Sequence, residues 1–131
     1  MGLLAVIAAA AAAWIFGAGY YMALSKPWVA ASGVPVDESG RPAGGARPMP
    51  FFLSAVAMLL VAGMMRHIFS MAGIASVGAG VVSGLGVGLF FIAPWIMINN
   101  AYAMRPFRLT LIDGGYAVAG AAIIGAVLTL F

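Results

Sequence analysis

The sequence predicts an all-α integral membrane protein, a single domain in which four transmembrane helices form a small up-down bundle. Of its 131 residues, 65% are hydrophobic and only 7% are charged, whereas roughly a quarter of a soluble domain is charged. The apolar residues form four runs of about 20 residues, long enough to cross the hydrocarbon core of a bilayer. The predicted spans are residues 3–24, 51–71, 76–99 and 109–130, and residues 25–50 are predicted to form a polar loop.

The first span contains neither charge nor proline and is expected to end at Lys26-Pro27-Trp28. Its apolar start resembles a secretory signal, but it has no basic n-region and is long enough to span. The loop after it is rich in glycine and proline, including Gly44 and Gly45, which favours turns over a regular element. In the third span, Pro94 removes a backbone donor and is expected to bend the helix.

The basic residues predict the orientation. Five of the six lie in the first and third connections, and the positive-inside rule places those connections in the cytoplasm. Both termini are therefore predicted to be periplasmic, in a bacterial inner membrane. The basic–proline–aromatic steps at Lys26-Pro27-Trp28 and Arg105-Pro106-Phe107 are compatible with two hairpin repeats, although membrane helices commonly end in this way.

Small residues at intervals of four favour close helix packing, because such residues lie on one helix face and let backbones approach. We expect the three faces to meet at short interaxial distance, with the partner helix in this chain or in another. The glycine-rich stretch 84–88 follows no strand and carries no lysine, so it does not predict a nucleotide-binding loop. The predicted packing residues are Ala9, Ala13 and Gly17, then Ser76, Gly80, Gly84 and Gly88, then Ala117, Ala121 and Gly125.

Asp113 is the only acidic residue within an apolar run, and an intramembrane carboxylate is a functional candidate. The structural alternative places it in the first turn of the fourth span, where Thr110 caps the helix and the positive helix end favours a carboxylate. We expect the carboxylate to be ionised and paired with Arg105 or Arg108. The possible polar site comprises Asp113, Asn99, Arg105, Arg108 and Tyr116.

Aromatic residues gather towards the cytoplasmic ends of the spans, which is typical of an interfacial belt. The alternative is an aromatic pocket floored by Asp113 and Asn99. Trp14 lies deeper, and its indole N–H needs an acceptor, so we expect it to face another helix. The predicted interface aromatics are Tyr20, Tyr21, Trp28, Tyr102 and Phe107.

No metal or cofactor is expected. The chain has no cysteine, which excludes disulfides and thiolate ligands, and its single histidine excludes a bis-histidine haem within one chain. His67 lies near Met64, Met65 and Met71, a set that suits Cu(I). Methionines at such spacing more often fill gaps in packing.

The sequence resembles a bacterial family of small four-helix membrane proteins catalogued as domain of unknown function 1761. The resemblance implies the four-helix architecture and brings no established activity. The first connection departs from the family pattern, in which the tryptophan leads into a longer polar helical stretch. The stretches that carry the resemblance are 17–21 with Trp28, 88–94, 99–106 and 109–116.

Two functions fit these observations. The first is a non-catalytic accessory or structural subunit that packs against a larger membrane protein complex. The second is a carrier or binding protein for a small lipid-like or amphipathic molecule, working as a homo-oligomer. An enzyme ranks last because no catalytic set is recognisable. The expected partners are membrane lipids and other transmembrane helices, and nucleic acid is not expected because the basic residues mark membrane orientation.

Overall fold

The computed structural model describes residues 2–43 and 47–131, and within them the regular elements are helices. Four helices are long and apolar enough to cross a membrane, which confirms the predicted class. We call them the first to fourth spans: α1, α3, the run Val77–Tyr102 and α6. The elements are α1 (Gly2–Ala23), α2 (Ser25–Ser32), α3 (Pro48–Ala72), α4 (Val77–Val87), a π-helical turn (Gly88–Ile92), α5 (Ala93–Tyr102) and α6 (Phe107–Leu128).

The segment predicted to be loop is partly helical. Its first eight residues form α2, and the second span begins at Pro48. Prolines in this segment favoured a loop prediction, but Pro27 and Pro48 lie in the first turns of helices. A missing N–H loses no helical hydrogen bond in a first turn. Helix α2 ends at Gly33, whose φ of 70° is left-handed and whose N–H donates to the Val29 carbonyl. The turns predicted at Gly44 and Gly45 lie outside the described residues.

The loop after α2 contains a tight turn built on one aspartate. Asp37 Oδ1 accepts hydrogen bonds from the Ser39 hydroxyl at 2.6 Å, the Ser39 N–H at 2.9 Å and the Arg41 N–H at 3.1 Å. The bond from the Ser39 hydroxyl, followed by that from the Arg41 backbone, holds the pKa of Asp37 below its ordinary value. The turn therefore presents a carboxylate on the same side as the basic residues of this loop.

The four spans form an open row rather than a closed ring. Helices α1 and α6 lie in the middle; α3 packs on α1, and the third span packs on α6. The outer spans consequently bury only 11% of their apolar windows, against 28% for α1 and 39% for α6. The core lies along the inner pair and the facing side of α3, and it contains Ala9, Ala10, Ala13, Ala62, Met65, Phe69, Ala121 and Ile124.

The glycine face of the third span packs against the fourth span of the same chain. A Cβ at Gly80 would meet the Gly125 carbonyl, one at Gly84 the Ala121 carbonyl, and one at Gly88 the backbone of Val118. Glycine is therefore required at these three contacts because two backbones touch there. We call this set of contacts the glycine ladder.

The small face of the first span is also used within the chain, since Ala9, Ala13 and Gly17 are buried. Ser76 was predicted to extend the packing face of the third span, and this is wrong. Ser76 is exposed, and its hydroxyl accepts the Ala79 N–H at 3.1 Å as the N-cap of α4. A capping serine satisfies a backbone donor that has no partner inside the helix.

The third span changes its hydrogen-bonding register just before Pro94. The Ala93 N–H donates to the Gly88 carbonyl, five residues back, and the π-helical turn occupies the residues between them. Proline cannot donate and its ring crowds the preceding turn, so a wider turn at this point accommodates it. A π-helical turn therefore precedes Pro94 and lies where the glycine ladder ends, while the predicted bend stays a prediction.

Candidate functional site

The Asp113 carboxylate is held by a phenol from another span. The Tyr21 hydroxyl, in the last turn of α1, donates to Asp113 Oδ1 at 2.7 Å. Asp113 is partly buried on the side of α6 that faces α1, and the Trp28 indole of α2 lies beside it. One hydrogen bond therefore joins the first and fourth spans at the end of the molecule where the first and third connections meet.

Two further tyrosine hydroxyls bridge the same pair of helices. Tyr20 donates to the Ile112 carbonyl at 2.6 Å, and Tyr116 donates to the Ala13 carbonyl at 3.1 Å. The Tyr116 hydroxyl also lies 3.6 Å from Met58 Sδ of the second span. With Asp113 and Trp28, these residues form a group that we call the tyrosine cluster: Tyr20, Tyr21, Trp28, Asp113 and Tyr116.

The rings of the tyrosine cluster pack against one another. The Tyr21 ring meets those of Tyr20, Tyr116 and Trp28 edge to face, at centroid distances of 5.2, 5.4 and 6.1 Å. Edge-to-face contact at such distances is a favourable arrangement of aromatic quadrupoles. The cluster is thus a packed interhelical joint.

Two glycines make room for the cluster. The Tyr116 ring occupies the place where a side chain at position 17 would lie, and the Tyr20 hydroxyl lies against Gly115. Gly17 was expected to contact a helix backbone. It instead accommodates an aromatic ring, which a pattern of small residues does not reveal.

The predicted ion pair between Asp113 and an arginine is wrong. Within the part of the chain that the structure describes, no basic side chain contributes to the surroundings of Asp113. The Arg105 guanidinium instead lies against Gly33, at the C-terminal end of α2, where the helix dipole favours a cation. Arg108 is exposed in the first turn of α6. Tyr21, rather than an arginine, is the partner of Asp113.

The other polar predictions around α6 also need correction. Asn99 is exposed, and its neighbour Asn100 donates to Thr110 Oγ1 at 3.2 Å instead. One position along a helix rotates a side chain by about 100°, which places these neighbours on different faces. Thr110 is not an N-cap, because α6 begins at Phe107. Asp113 accordingly lies in the second turn, beyond the reach of most of the helix-end effect.

The aromatic residues divide into two groups. Tyr102 and Phe107 are exposed, as residues of an interfacial belt would be, whereas Tyr20, Tyr21 and Trp28 belong to the cluster. Trp14 donates to Ser54 Oγ of the second span at 2.9 Å, which is the interhelical acceptor that its indole requires. Ser54, Asn100 and Met58 were not identified from the sequence, because a lone polar or sulfur-containing residue does not indicate its partner.

A groove lies between the third and fourth spans, beyond the end of the glycine ladder. It is an open groove with a volume of about 430 Å³, and Thr110 is the one lining residue with a hydroxyl side chain. Leu111 and Leu89 are half or more exposed at its mouth, which opens towards lipid. The lining residues are Leu89, Ala93, Pro94, Met97, Thr110, Leu111, Gly114, Gly115 and Val118.

The tyrosine cluster offers one carboxylate, three phenols and one indole, and the groove offers a mostly apolar wall. The hydrogen bonds of the cluster can fasten the first span to the fourth. Groups of three or more histidine or acidic side chains close enough to hold a metal ion are not found among the described residues.

The comparisons with known proteins agree with the resemblance found in the sequence. A family described as a protein of unknown function, DUF1761, matches residues 4–129 and therefore extends across all four spans. No curated protein and no solved structure matches the chain. The chain belongs to the DUF1761 family.

Proposed function

We propose that this protein is a non-catalytic accessory or structural subunit that packs against a larger membrane protein complex. The open row of spans carries the proposal. The inner pair, α1 and α6, uses its small residues and tyrosines for contacts within the chain. The second span packs mainly on α1 with a smaller contact on α6, and the third span packs on α6. Helices of another protein can pack against the two outer edges of such a row.

The edges carry large side chains that the chain itself leaves uncovered. Leu60 on the second span is 70% exposed, and Val82 and Trp95 on the third span are 68% and 67% exposed. Helix association in a bilayer depends on van der Waals packing and on small residues that admit close approach. Gly78 and Gly86 lie beside Val82 on the third span, with open space where a Cβ would be. This edge therefore suits a helix of another protein.

Photo-crosslinking in native membranes tests the proposal. A photoreactive residue at Leu60 or Val82 is expected to yield a discrete adduct with another polypeptide, identified by mass spectrometry. Ile15 is the matched control, because it is 65% exposed on an inner span and lies on neither edge. Lipid adducts alone at both edge positions, with a single chain in native mass spectrometry, would overturn the assembly proposal.

We further propose that the protein resides in a bacterial inner membrane with its first and third connections in the cytoplasm. Those connections carry Lys26, Arg41, Arg47, Arg105 and Arg108. They lie at the same end of the row, since Arg105 of the third connection touches Gly33 of the first. A concentration of lysine and arginine at one end supports retention of that end in the cytoplasm.

The second candidate function is a carrier or binding protein for a lipid-like or amphipathic molecule, acting as a homo-oligomer. The groove between the third and fourth spans favours it, because about 430 Å³ is within the range of small-molecule sites. Native mass spectrometry from mild detergent separates the two candidates. A retained small molecule on a homo-oligomer supports the carrier, and a retained unlike polypeptide supports the subunit.

A further inference from the structure

The groove exists because the third and fourth spans touch closely along one half only. From Gly80 as far as Gly88, the two backbones are in direct contact along the glycine ladder. Beyond it, the π-helical turn and Pro94 interrupt the regular helix, and Gly114 meets only the Ala93 Cβ, at 3.5 Å. Small residues on both sides of this wider part leave space that the chain does not fill.

The shape and chemistry of the groove suit a hydrocarbon chain. Along α6 it extends from Thr110 to Val118, a distance of about 12 Å at 1.5 Å per residue. The Thr110 hydroxyl oxygen already accepts a hydrogen bond from Asn100 Nδ2, and the other lining side chains are apolar. A flexible apolar chain that lies along this path loses no hydrogen bond.

The Arg108 side chain lies near the end of the groove that is proposed to face the cytoplasm. Arg108 lies three residues before Leu111 and seven before Gly115, so the three positions share one side of α6. Arg108 is exposed in the first turn of α6, while Arg105 is held at Gly33. An arginine at the end of a span can extend its guanidinium towards lipid headgroups. The connections at this end carry five basic residues against Asp37 and Glu38. The open end of the groove is therefore positively charged.

We propose that the groove holds one acyl chain of an anionic phospholipid whose phosphate is bound by Arg108. The apolar wall accepts the chain, and the guanidinium at the open end favours a headgroup with net negative charge, because a choline cation would offset its own phosphate and repel the arginine. The site is independent of the assembly proposed above, because it does not involve the outer edges at Leu60 and Val82. It also supplies a ligand class for the carrier candidate.

Native mass spectrometry of the purified chain with added phosphatidylglycerol or phosphatidylcholine tests the site. The unmodified chain is expected to retain one phosphatidylglycerol in preference to phosphatidylcholine. Arg108→Gln is expected to weaken phosphatidylglycerol binding about fivefold, the contribution of one basic residue near an anionic headgroup. Arg47→Gln is the matched control, since it removes the same charge at the same end of the molecule and away from the groove.

A second variant tests the groove itself. Met97→Trp fills the space from the α5 side and is expected to reduce retention of both lipids, with an unchanged thermal transition in detergent. Met64→Trp adds the same bulk at an exposed position on the second span and is expected to have no effect. Equal retention of the two lipids, or unchanged binding by Met97→Trp or Arg108→Gln, would overturn the site. Neither result depends on a protein partner, so the assembly proposal stands or falls separately.

Discussion

Among single residues, Asp113 shows how an acidic side chain within an apolar run finds a hydrogen-bond partner. Its partner is a phenol 92 positions away in the chain, whereas Arg105 lies against Gly33 and Arg108 is exposed. A carboxylate without a donor in this environment is costly, whereas one hydrogen bond from Tyr21 offsets part of that cost. Asp113 therefore contributes first to the joint between the inner spans.

We predict that Tyr21→Phe destabilises the protein by about 0.5–2 kcal/mol, the range for interhelical and charge-assisted hydrogen bonds. The ring remains and keeps its edge-to-face contacts, so the loss reports on the hydroxyl. Thermal or denaturant unfolding in detergent measures it. Tyr102→Phe removes a hydroxyl from a side chain that is 87% exposed and serves as the control; an equal effect of both changes would contradict the prediction.

Asp113→Asn completes the test of this hydrogen bond. An amide oxygen still accepts from Tyr21, so this variant is expected to lose less stability than Tyr21→Phe and to retain function. In the double variant the two effects are expected not to add, because both changes act on one bond. Additive losses, or a folded Asp113→Asn protein without activity in cells, would assign the carboxylate a role beyond the joint.

Among the elements, the third and fourth spans show which helix the small residues pack against. The glycine ladder brings two backbones into contact, and its three glycines are three of the four residues in the predicted packing face of the third span. Glycines spaced four residues apart are equally compatible with packing against a helix of another protein. It is the short connection between the spans and their antiparallel course that bring this face against α6.

We predict that Gly84→Leu disrupts the packing of the third span, at or above the upper end of the roughly 1–3 kcal/mol that overpacking costs. A Cβ at this position already meets the Ala121 backbone, which cannot move aside as a flexible side chain would. Gly86→Leu is the control, because nothing lies within 4 Å of a Cβ there. The two variants are compared by their thermal transitions in detergent; similar values would show that the ladder contact is absent.

The short helix α2 depends on its C-terminal glycine. We predict that Gly33→Ala raises amide hydrogen exchange in residues 25–32, since a left-handed φ costs about 1–2 kcal/mol for a residue with a side chain. The added methyl group also meets the Arg105 guanidinium. Gly40→Ala carries the same kind of strain at φ 83° with no neighbour within 4 Å. It is expected to leave α2 unaffected, and faster exchange in both variants would indicate a general loss of stability.

For the whole molecule, the open row and the distribution of charge belong together. The two connections that carry most of the basic residues meet at one end, beside the tyrosine cluster and the mouth of the groove. The second connection and the termini lie at the other end. An interface with anionic lipid at the basic end therefore fits both the orientation and the proposed lipid site.

We predict that the first connection is cytoplasmic and the second periplasmic. The chain contains no cysteine, so a single introduced cysteine can be labelled without background from other thiols in the protein. In intact cells, a membrane-impermeant maleimide is expected to label Ala75→Cys and to leave Glu38→Cys unlabelled until the inner membrane is opened. Both positions are exposed. The reverse pattern of labelling would invert the orientation.

The sequence by itself determined the class, the number of spans and the family, because these depend on properties summed over many residues. Twenty apolar positions in a row indicate a membrane helix whatever their neighbours are. It also indicated Gly80, Gly84 and Gly88 as a close-packing face, since the period of a helix decides which residues share a side. The need of Trp14 for an interhelical acceptor likewise followed from the indole N–H alone.

Only the tertiary structure decided which groups meet. That Asp113 bonds to Tyr21, that Asn100 rather than Asn99 faces the fourth span, and that Gly17 holds the Tyr116 ring all depend on how helices are rotated against each other. Rotating a helix by one position changes the partner of every side chain on it. Neither the charge nor the periodicity of a single segment predicts how far that helix is rotated against its neighbour. The row order of the spans, and with it the groove beside Pro94, arises from these pairwise rotations and contacts.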